Sequence, residues 1–230
     1  MTAHPGILVT FDGNRGSGKT TQVDRVAEAL EKRGYSVVSV DIPVNIGGSV
    51  RRNFFSALSE LSALYENTIR PSLEEGKVVL VEHYVDTVLT ELLTNVETES
   101  VFGLTEEELR RLAWSCVENT EPDFAVYMTV WYVTARSRTG KLLDFKYNHK
   151  SKMAAYGVLS RDLENAVLFD TSEEDTDNSV ERLTSEIVDC FTHRCGSPDN
   201  READRVEKVY SDCQSRGWEL YDSLLGQLGR

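Results

Sequence analysis

Short apolar runs alternate with stretches of helical spacing along most of this chain. Five runs rich in β-branched and aromatic residues predict strands: Ile7–Phe11, Tyr35–Val40, Val78–Val81, Phe124–Val130 and Ala166–Phe169. Apolar residues three or four apart predict helices between and after them: Thr20–Arg33, Ala57–Leu73, Val85–Leu93, Glu106–Asn119, Ser151–Leu163 and Ser179–Phe191. Strands that alternate with helices favour a three-layer, doubly wound α/β fold around a parallel sheet of about five strands.

Two further features concern the ends of the predicted elements. Pro71 lies inside the helix predicted over 57–73, so we expect that helix to be interrupted or bent there. A turn-forming cluster at 196–200 precedes a second amphipathic pattern over 202–228. We therefore predict a main domain over 1–195 and a C-terminal helical extension over 196–230. The extension covers either the core or a partner subunit, which leaves a homodimer as one of the options.

Charge and cysteine content narrow the class of protein. The 230 residues carry 25 Lys and Arg against 38 Asp and Glu, a net charge of −13, which argues against binding to nucleic acids or anionic membranes. No apolar run approaches the roughly 20 residues of a membrane span, and Met1–Gly6 does not resemble a signal peptide. The four cysteines include no C-x-x-C pair, so we expect free thiols and a cytoplasmic location.

The strongest chemical signal lies between the first strand and the first helix. Residues 13–20 match the phosphate-loop pattern G-x-x-x-x-G-K-[ST] in full. Its backbone N–H groups and the following helix N-terminus would hold the phosphates of ATP, with Lys19 on the outer phosphates and Thr20 on Mg²⁺. The predicted nucleotide-binding residues are Gly13, Asn14, Arg15, Gly16, Ser17, Gly18, Lys19, Thr20 and Thr21.

An acidic partner for this loop is expected at the end of a neighbouring strand. Glu82 closes the third strand and is the leading candidate, either as a second Mg²⁺ ligand or as a base for the acceptor. Asp12 and Asp41, which follow the first and second strands, are its rivals.

A basic segment interrupts this acidic chain between residues 136 and 152. It contains Arg136, Arg138, Lys141, Lys146, Lys150 and Lys152. Such a segment suits a lid that closes over ATP, with Arg136 and Arg138 stabilising the transferring phosphoryl group.

These motifs together resemble the thymidylate kinase family over roughly residues 7–190. The similarity rests on the opening loop at 11–22, the helix–strand segment at 69–86, the strand entry at 121–128, and Tyr156 after the lid. The resemblance implies a P-loop kinase fold, an ATP donor, Mg²⁺ and a small-molecule phosphoryl acceptor.

The departures from the family concern the acceptor. The family's Asp-Arg-Tyr is here Glu82-His83-Tyr84, and its acceptor-contacting helix arginine aligns with Leu61. Its Tyr-Gln-Gly becomes residues 91–93, Glu-Leu-Leu, and its Arg-Glu-Pro-Gly-Gly loop becomes residues 41–48, with Arg51 or Arg52 as a substitute phosphate contact.

We therefore expect an ATP-dependent phosphotransferase with a nucleotide-like acceptor that is not thymidine monophosphate. A kinase for a nucleoside or another hydroxyl-bearing metabolite is the first alternative, because Glu82 and the Gly-Asn-x-Gly-Ser-Gly-Lys spelling also resemble deoxynucleoside kinases. A non-catalytic nucleotide-binding protein is the second alternative.

Overall fold

The computed structural model describes residues 5–43, 50–93, 102–139, 146–162, 165–172 and 176–195. The chain separates into two compact units, Met1–Phe191 and Thr192–Arg230. The helix predicted over 202–228 lies outside the described residues, and so does the stretch 44–49 of the loop after the second strand. None of the described helices is long and apolar enough to cross a membrane.

One parallel sheet of five strands organises the first unit. Its strands are β1 (Ile7–Gly13), β2 (Val37–Asp41), β3 (Val78–Glu82), β4 (Phe124–Thr129) and β5 (Ala166–Asp170). They lie in the order β2-β3-β1-β4-β5, and every neighbouring pair is parallel. Each strand forms where an apolar run predicted one, so the predicted sheet is confirmed.

Helices cover both faces of this sheet, which confirms the predicted three-layer α/β fold. They are α1 (Lys19–Lys32), α2 (Val50–Leu64), α3 (Arg70–Glu74), α4 (Val85–Leu93), α5 (Glu106–Ser115), α6 (Tyr132–Thr139), α7 (Lys146–Asp162) and α8 (Thr176–Cys195).

Several predicted helix bounds were wrong: α7 begins at Lys146 and not at Ser151, and α8 spans Thr176–Cys195 and not Ser179–Phe191. Helix α2 begins at Val50 and not at Ala57, and the added segment packs Phe54 into the core. Helix α5 ends at Ser115 and not at Asn119, because Glu118 and Asn119 adopt left-handed φ values of 53° and 55°. A left-handed residue ends the helical hydrogen-bond ladder.

The interruption predicted near Pro71 takes the form of a π-helical turn. This turn spans Tyr65–Ile69 between α2 and α3, and the N–H of Arg70 donates to the carbonyl of Tyr65, five residues earlier. Pro71 lacks the N–H that would bond to the carbonyl of Asn67, so the regular ladder cannot continue through this point.

Alternate residues of the central strands pack against different helices. Leu8, Val79 and Val81 join the cluster that includes buried residues of α2, α4 and α5. Ile7, Val78 and Leu80 join the cluster on the other face, with buried residues of α1 and α8. Because both faces are covered, polar side chains of the central strands gather at the carboxyl edge of the sheet.

Candidate active site at the phosphate loop

The phosphate loop, residues 13–20, is held directly against strand β4. Gly13 has a φ of 152°, and a Cβ atom there would lie 2.0 Å from the carbonyl oxygen of Met128. Asn14 donates from its backbone N–H to that same oxygen over 3.2 Å, and from its side-chain amide to the carbonyl of Val130 over 3.2 Å. Only glycine allows this close approach, so the first glycine of the motif fixes the loop on the sheet.

The loop leads into the N-terminus of helix α1. Gly18 caps the helix with a left-handed φ of 88°, and the first N–H groups of α1 follow it. The hydroxyl of Ser17 is buried and has no hydrogen-bond partner among the described residues. A helix N-terminus next to an unpartnered buried donor fits the negatively charged phosphates of a nucleotide.

Lys19 lies at the centre of this arrangement. Its Nζ donates to the carbonyl oxygens of Gly13 at 2.9 Å and Asn14 at 3.4 Å. Burial lowers the pKa of Lys19, while nearby carboxylates, chiefly Glu82 and Asp12, oppose that shift. The ammonium group is therefore held within the loop and surrounded by negative charge.

Thr20 and Glu82 meet across the edge of the sheet. The Thr20 hydroxyl donates to Oε2 of Glu82 over 3.0 Å, and Glu82 is 4% exposed. Burial raises the pKa of Glu82, and the hydrogen bond from Thr20 opposes that shift. A hydroxyl and a carboxylate are the hard oxygen donors that Mg²⁺ prefers, so this pair fits the predicted cation.

Asp41 lies beside Glu82 at the end of the neighbouring strand. The two residues are register partners in the β2–β3 ladder. Oδ1 of Asp41 is 2.9 Å from Nδ1 of His83, the residue that follows Glu82. His83 has a left-handed φ of 61°, and burial lowers the pKa of its imidazole. Both sequence candidates, Glu82 and Asp41, thus lie on one side of the loop.

Asp12 has a different environment from these two carboxylates. It is 1% exposed, and its Oδ1 accepts hydrogen bonds from the N–H of Thr87 at 3.2 Å and its hydroxyl at 2.5 Å. Its Oδ2 is buried with no partner among the described residues. Burial, reinforced by the charge of Asp86, raises the pKa of Asp12 to about 7.

Two tyrosines extend this buried polar group beneath the loop. The hydroxyl of Tyr127, on β4, donates to Oδ2 of Asp86 over 2.6 Å. The hydroxyl of Tyr156, on α7, lies 3.4 Å from the hydroxyl of Thr87, and the two tyrosine rings pack with centroids 5.8 Å apart. Asp12, Asp86 and Thr87 therefore join β1 to α4, and the tyrosines connect them to β4 and α7.

Arg138 reaches the phosphate loop from helix α6. Its guanidinium donates to the carbonyl oxygen of Gly16 over 3.3 Å, and to the hydroxyl and carbonyl of Thr171 over 3.0 Å and 2.6 Å. The Thr171 hydroxyl lies 2.8 Å from the carbonyl oxygen of Ser17, to which it donates. The residue after β5 thus connects the loop to the predicted lid.

The other basic residues of the predicted lid differ in their surroundings. Arg136 is exposed on α6. Lys152 is buried on α7, where its Nζ lies 2.5 Å from Oε1 of Glu91 on α4. Three more basic residues have side chains outside the described part of the chain: Lys141, Lys146 and Lys150.

The structure shows the burial and the charge partners of the residues that depart from the thymidylate kinase pattern. Leu61 is fully buried in the same apolar cluster as Val88. Arg51 and Arg52 are exposed on α2, and Arg70 pairs with Glu66 and Glu118. The Glu91 carboxylate, which replaces the tyrosine of the family's Tyr-Gln-Gly, is compensated by Lys152.

Three polar residues next to the loop were not predicted as site residues. His83 directly follows β3, and Thr171 directly follows β5. Their positions in the sequence could have identified them as site residues, because the carboxyl ends of parallel strands share one edge of the sheet. Thr87 carries no comparable signal, because its contact with Asp12 depends on how α4 packs on the sheet.

We expect Asp12→Asn to stabilise the protein increasingly as pH rises. The folded-state pKa of about 7 exceeds the ordinary value of 3.8, so the folded protein keeps a proton that the unfolded chain releases between these values. The free energy of unfolding should therefore fall across this window, by up to about 1.4 kcal/mol per pH unit, and the neutral asparagine should remove that loss.

Urea unfolding of both proteins between pH 5 and 8 checks this expectation. Asp24→Asn, which removes an exposed carboxylate from α1, serves as the control and should follow the wild-type pH dependence. If Asp12→Asn also followed the wild type, Asp12 would be ionised in the folded protein throughout this range.

Comparison with known proteins gives a consistent set of relatives. The thymidylate kinase of Thermoanaerobacter sp. (strain X514) is 30% identical over 151 residues, which cover 59% of this chain and 71% of that protein. The thymidylate kinase of Caldanaerobacter subterraneus subsp. tengcongensis is 27% identical over 192 residues, 74% of this chain and 89% of that protein. That of Bifidobacterium longum (strain DJO10A) is 31% identical over 137 residues, covering 51% of this chain and 64% of that protein.

No protein-family model matches the chain. The five-stranded parallel sheet with helices on both faces is consistent with an α/β P-loop kinase fold. The chain belongs to the thymidylate kinase family of ATP-dependent kinases.

Proposed function

We propose that this protein transfers the γ-phosphoryl group of ATP to a nucleotide-like acceptor other than thymidine monophosphate. The observation that carries the phosphoryl-transfer part is the meeting of Lys19, Thr20 and Glu82 at the carboxyl edge of the sheet. Family membership supports the same chemistry, since the relatives are named thymidylate kinases.

The donor half of the site needs few rearrangements to hold ATP. The N–H groups at the start of α1 and the hydroxyl of Ser17 would donate to the phosphates. Lys19 would exchange its contacts with the loop carbonyls of Gly13 and Asn14 for contacts with the outer phosphates. These groups bind and orient the donor, which is the main contribution of proteins to phosphoryl transfer.

Two other groups would act on the transferring phosphoryl. A Mg²⁺ ion bound by Thr20 and Glu82 would neutralise charge on the phosphate oxygens. Arg138 already contacts the loop through Gly16, so its guanidinium needs only to exchange partners to reach a phosphate. Arg136, exposed on the same helix, is the second candidate for this role.

The acceptor half argues against thymidine monophosphate. Leu61 occupies the position of the family's acceptor-contacting arginine, and its side chain is fully buried in the apolar core. The Lys152 ammonium is compensated by Glu91 and is not a spare cation for a phosphate. Both features remove positive charge from the side of the site where an acceptor phosphate would need it.

A specific observation favours the hydroxyl-kinase alternative as a second candidate. Four carboxylates influence Lys19: Glu82, Asp12, Glu91 and Asp41. An acceptor without a phosphate would meet less repulsion in this field. Burial raises the pKa of Glu82, which brings this carboxylate closer to the range of an effective general base for an acceptor hydroxyl.

Replacing the loop lysine tests the donor half. We expect Lys19→Ala to lower kcat/KM by about 10²–10⁴ because the positive charge on the outer phosphates is lost. Acceptor-dependent ADP release gives the rate, and thermal unfolding checks the fold. Lys32→Ala removes an exposed lysine from the same helix and should keep full activity. Equal activity of Lys19→Ala and wild type would contradict the proposed donor site.

An acceptor panel tests the second half of the proposal. Nucleosides, nucleoside monophosphates and small alcohols are compared at matched concentrations with ATP as donor. We expect thymidine monophosphate to be at least about a hundredfold poorer in kcat/KM than the best acceptor. A kcat/KM of about 10⁴ M⁻¹s⁻¹ or more with thymidine monophosphate would overturn this expectation. No ADP release with any acceptor would favour the non-catalytic nucleotide-binding alternative.

The Glu91–Lys152 pair can be tested by removing one charge. We expect Glu91→Gln to leave Lys152 uncompensated and to raise activity with nucleoside monophosphates relative to nucleosides. A double variant, Glu91→Gln with Lys152→Met, removes both charges and should show no such gain. Glu107→Gln breaks an exposed pair with Arg111 and serves as the neutral control. An unchanged acceptor ratio in Glu91→Gln would place this pair away from the acceptor.

A further inference from the structure

Three potential metal ligands converge beside the phosphate loop. One ligand atom each from Asp41, Glu82 and His83 lie within 4.8 Å of one another. Two of them belong to adjacent parallel strands that pair in register, and His83 directly follows Glu82. The set combines two carboxylates with an imidazole, so it differs in chemistry from the all-oxygen pair of Thr20 and Glu82.

The spacing of these atoms suits a bound cation. Nδ1 of His83 and Oδ1 of Asp41 are 2.9 Å apart. Two ligand atoms at about 2.1 Å from a metal lie roughly 3.0–3.4 Å apart in right-angled or tetrahedral coordination. A cation could therefore replace the shared proton of this hydrogen bond with little movement, and Glu82, whose ligand atom lies within 4.8 Å of the other two, is the third ligand within reach.

The backbone holds these ligands at a defined place. The N–H of His83 donates to the carbonyl of Phe11 over 3.2 Å, and the N–H of Ile42 donates to the carbonyl of Glu82 over 3.1 Å. Both bonds continue the ladder beyond the strand ends, so the chain segments that carry the ligands are fixed to β1 and β3. Preorganised ligands lower the cost of assembling a metal site.

We propose that Asp41, Glu82 and His83 bind a first-row transition dication in preference to Mg²⁺. Imidazole nitrogen is a good ligand for such cations, whereas Mg²⁺ takes oxygen ligands and keeps several waters. The inference rests on the proposed function only in its location, since the cation would lie next to the donor phosphates. Glu82 would then be shared between this site and the Thr20 hydroxyl.

Cobalt binding by the full chain, without ATP or acceptor, tests the proposal. Co²⁺ is titrated by calorimetry and by its visible absorption, and Mg²⁺ is then added as competitor. We expect one Co²⁺ per chain that a tenfold excess of Mg²⁺ fails to displace, because imidazole favours Co²⁺. An intense thiolate-to-cobalt absorption would instead indicate binding through cysteine and would overturn the assignment.

His83→Asn is the informative variant. Asparagine tolerates the left-handed φ of 61° and replaces the imidazole nitrogen with an amide oxygen, so the fold should be kept. We expect Co²⁺ to bind at least about tenfold more weakly and Mg²⁺ to compete for the remaining site. Asp41→Asn should also weaken Co²⁺ binding, whereas His193→Gln, which replaces an exposed residue of α8, should bind Co²⁺ as the wild type does.

These measurements separate the inference from the kinase proposal. Wild-type affinity for Co²⁺ in His83→Asn, or no Co²⁺ binding by the wild type, would overturn the metal site even if ATP and Mg²⁺ supported full turnover. Conversely, failure of every acceptor in the kinase panel would leave the binding result unaffected, because the titrations contain no nucleotide.

Discussion

The close approach of Gly13 to the carbonyl of Met128, which leaves no room for a Cβ atom, fixes where the phosphate loop starts on the sheet. The start of the phosphate loop lies directly against β4. The loop then continues at the carboxyl edge of the sheet into α1, whose first residues are Lys19 and Thr20. Because all five strands are parallel, the same edge receives the residues that end β2 and β3. The chemistry of the site follows from this shared edge.

The shared edge concentrates negative charge around the buried Lys19 ammonium. Glu82, Asp12 and Asp41 all act on Lys19, yet their own environments differ. Glu82 is hydrogen-bonded to Thr20, Asp41 to His83, and Asp12 to Thr87 beneath the loop. Glu82 can therefore face a cation, Asp41 can hydrogen-bond an imidazole, and Asp12 can keep a proton. The three carboxylic acids have similar chemistry, so their different surroundings separate these roles.

Local signals predicted much of this arrangement. The phosphate loop is a contiguous pattern, and Glu82 could be placed beside it because strand ends converge in a parallel sheet. The contacts of Thr87 with Asp12 and of Lys152 with Glu91 could not be predicted, because they depend on the rotation of α4 and α7 against the sheet. The early start of α2 was missed for a related reason: only tertiary packing shows that Phe54 is buried.

The position of Lys152 shows why a basic stretch in a sequence does not define a positively charged surface in the fold. In the linear sequence Lys152 belongs to the same cationic run as Arg136 and Arg138. In the fold the Lys152 ammonium pairs with Glu91. Arg138 donates a hydrogen bond to the carbonyl of Gly16 in the loop, and Arg136 is exposed. Of these three cations, only the two arginines remain near solvent to meet a phosphoryl group. The third links α7 to α4 through its pair with Glu91, so the basic run of the sequence does not become one positive surface in the fold.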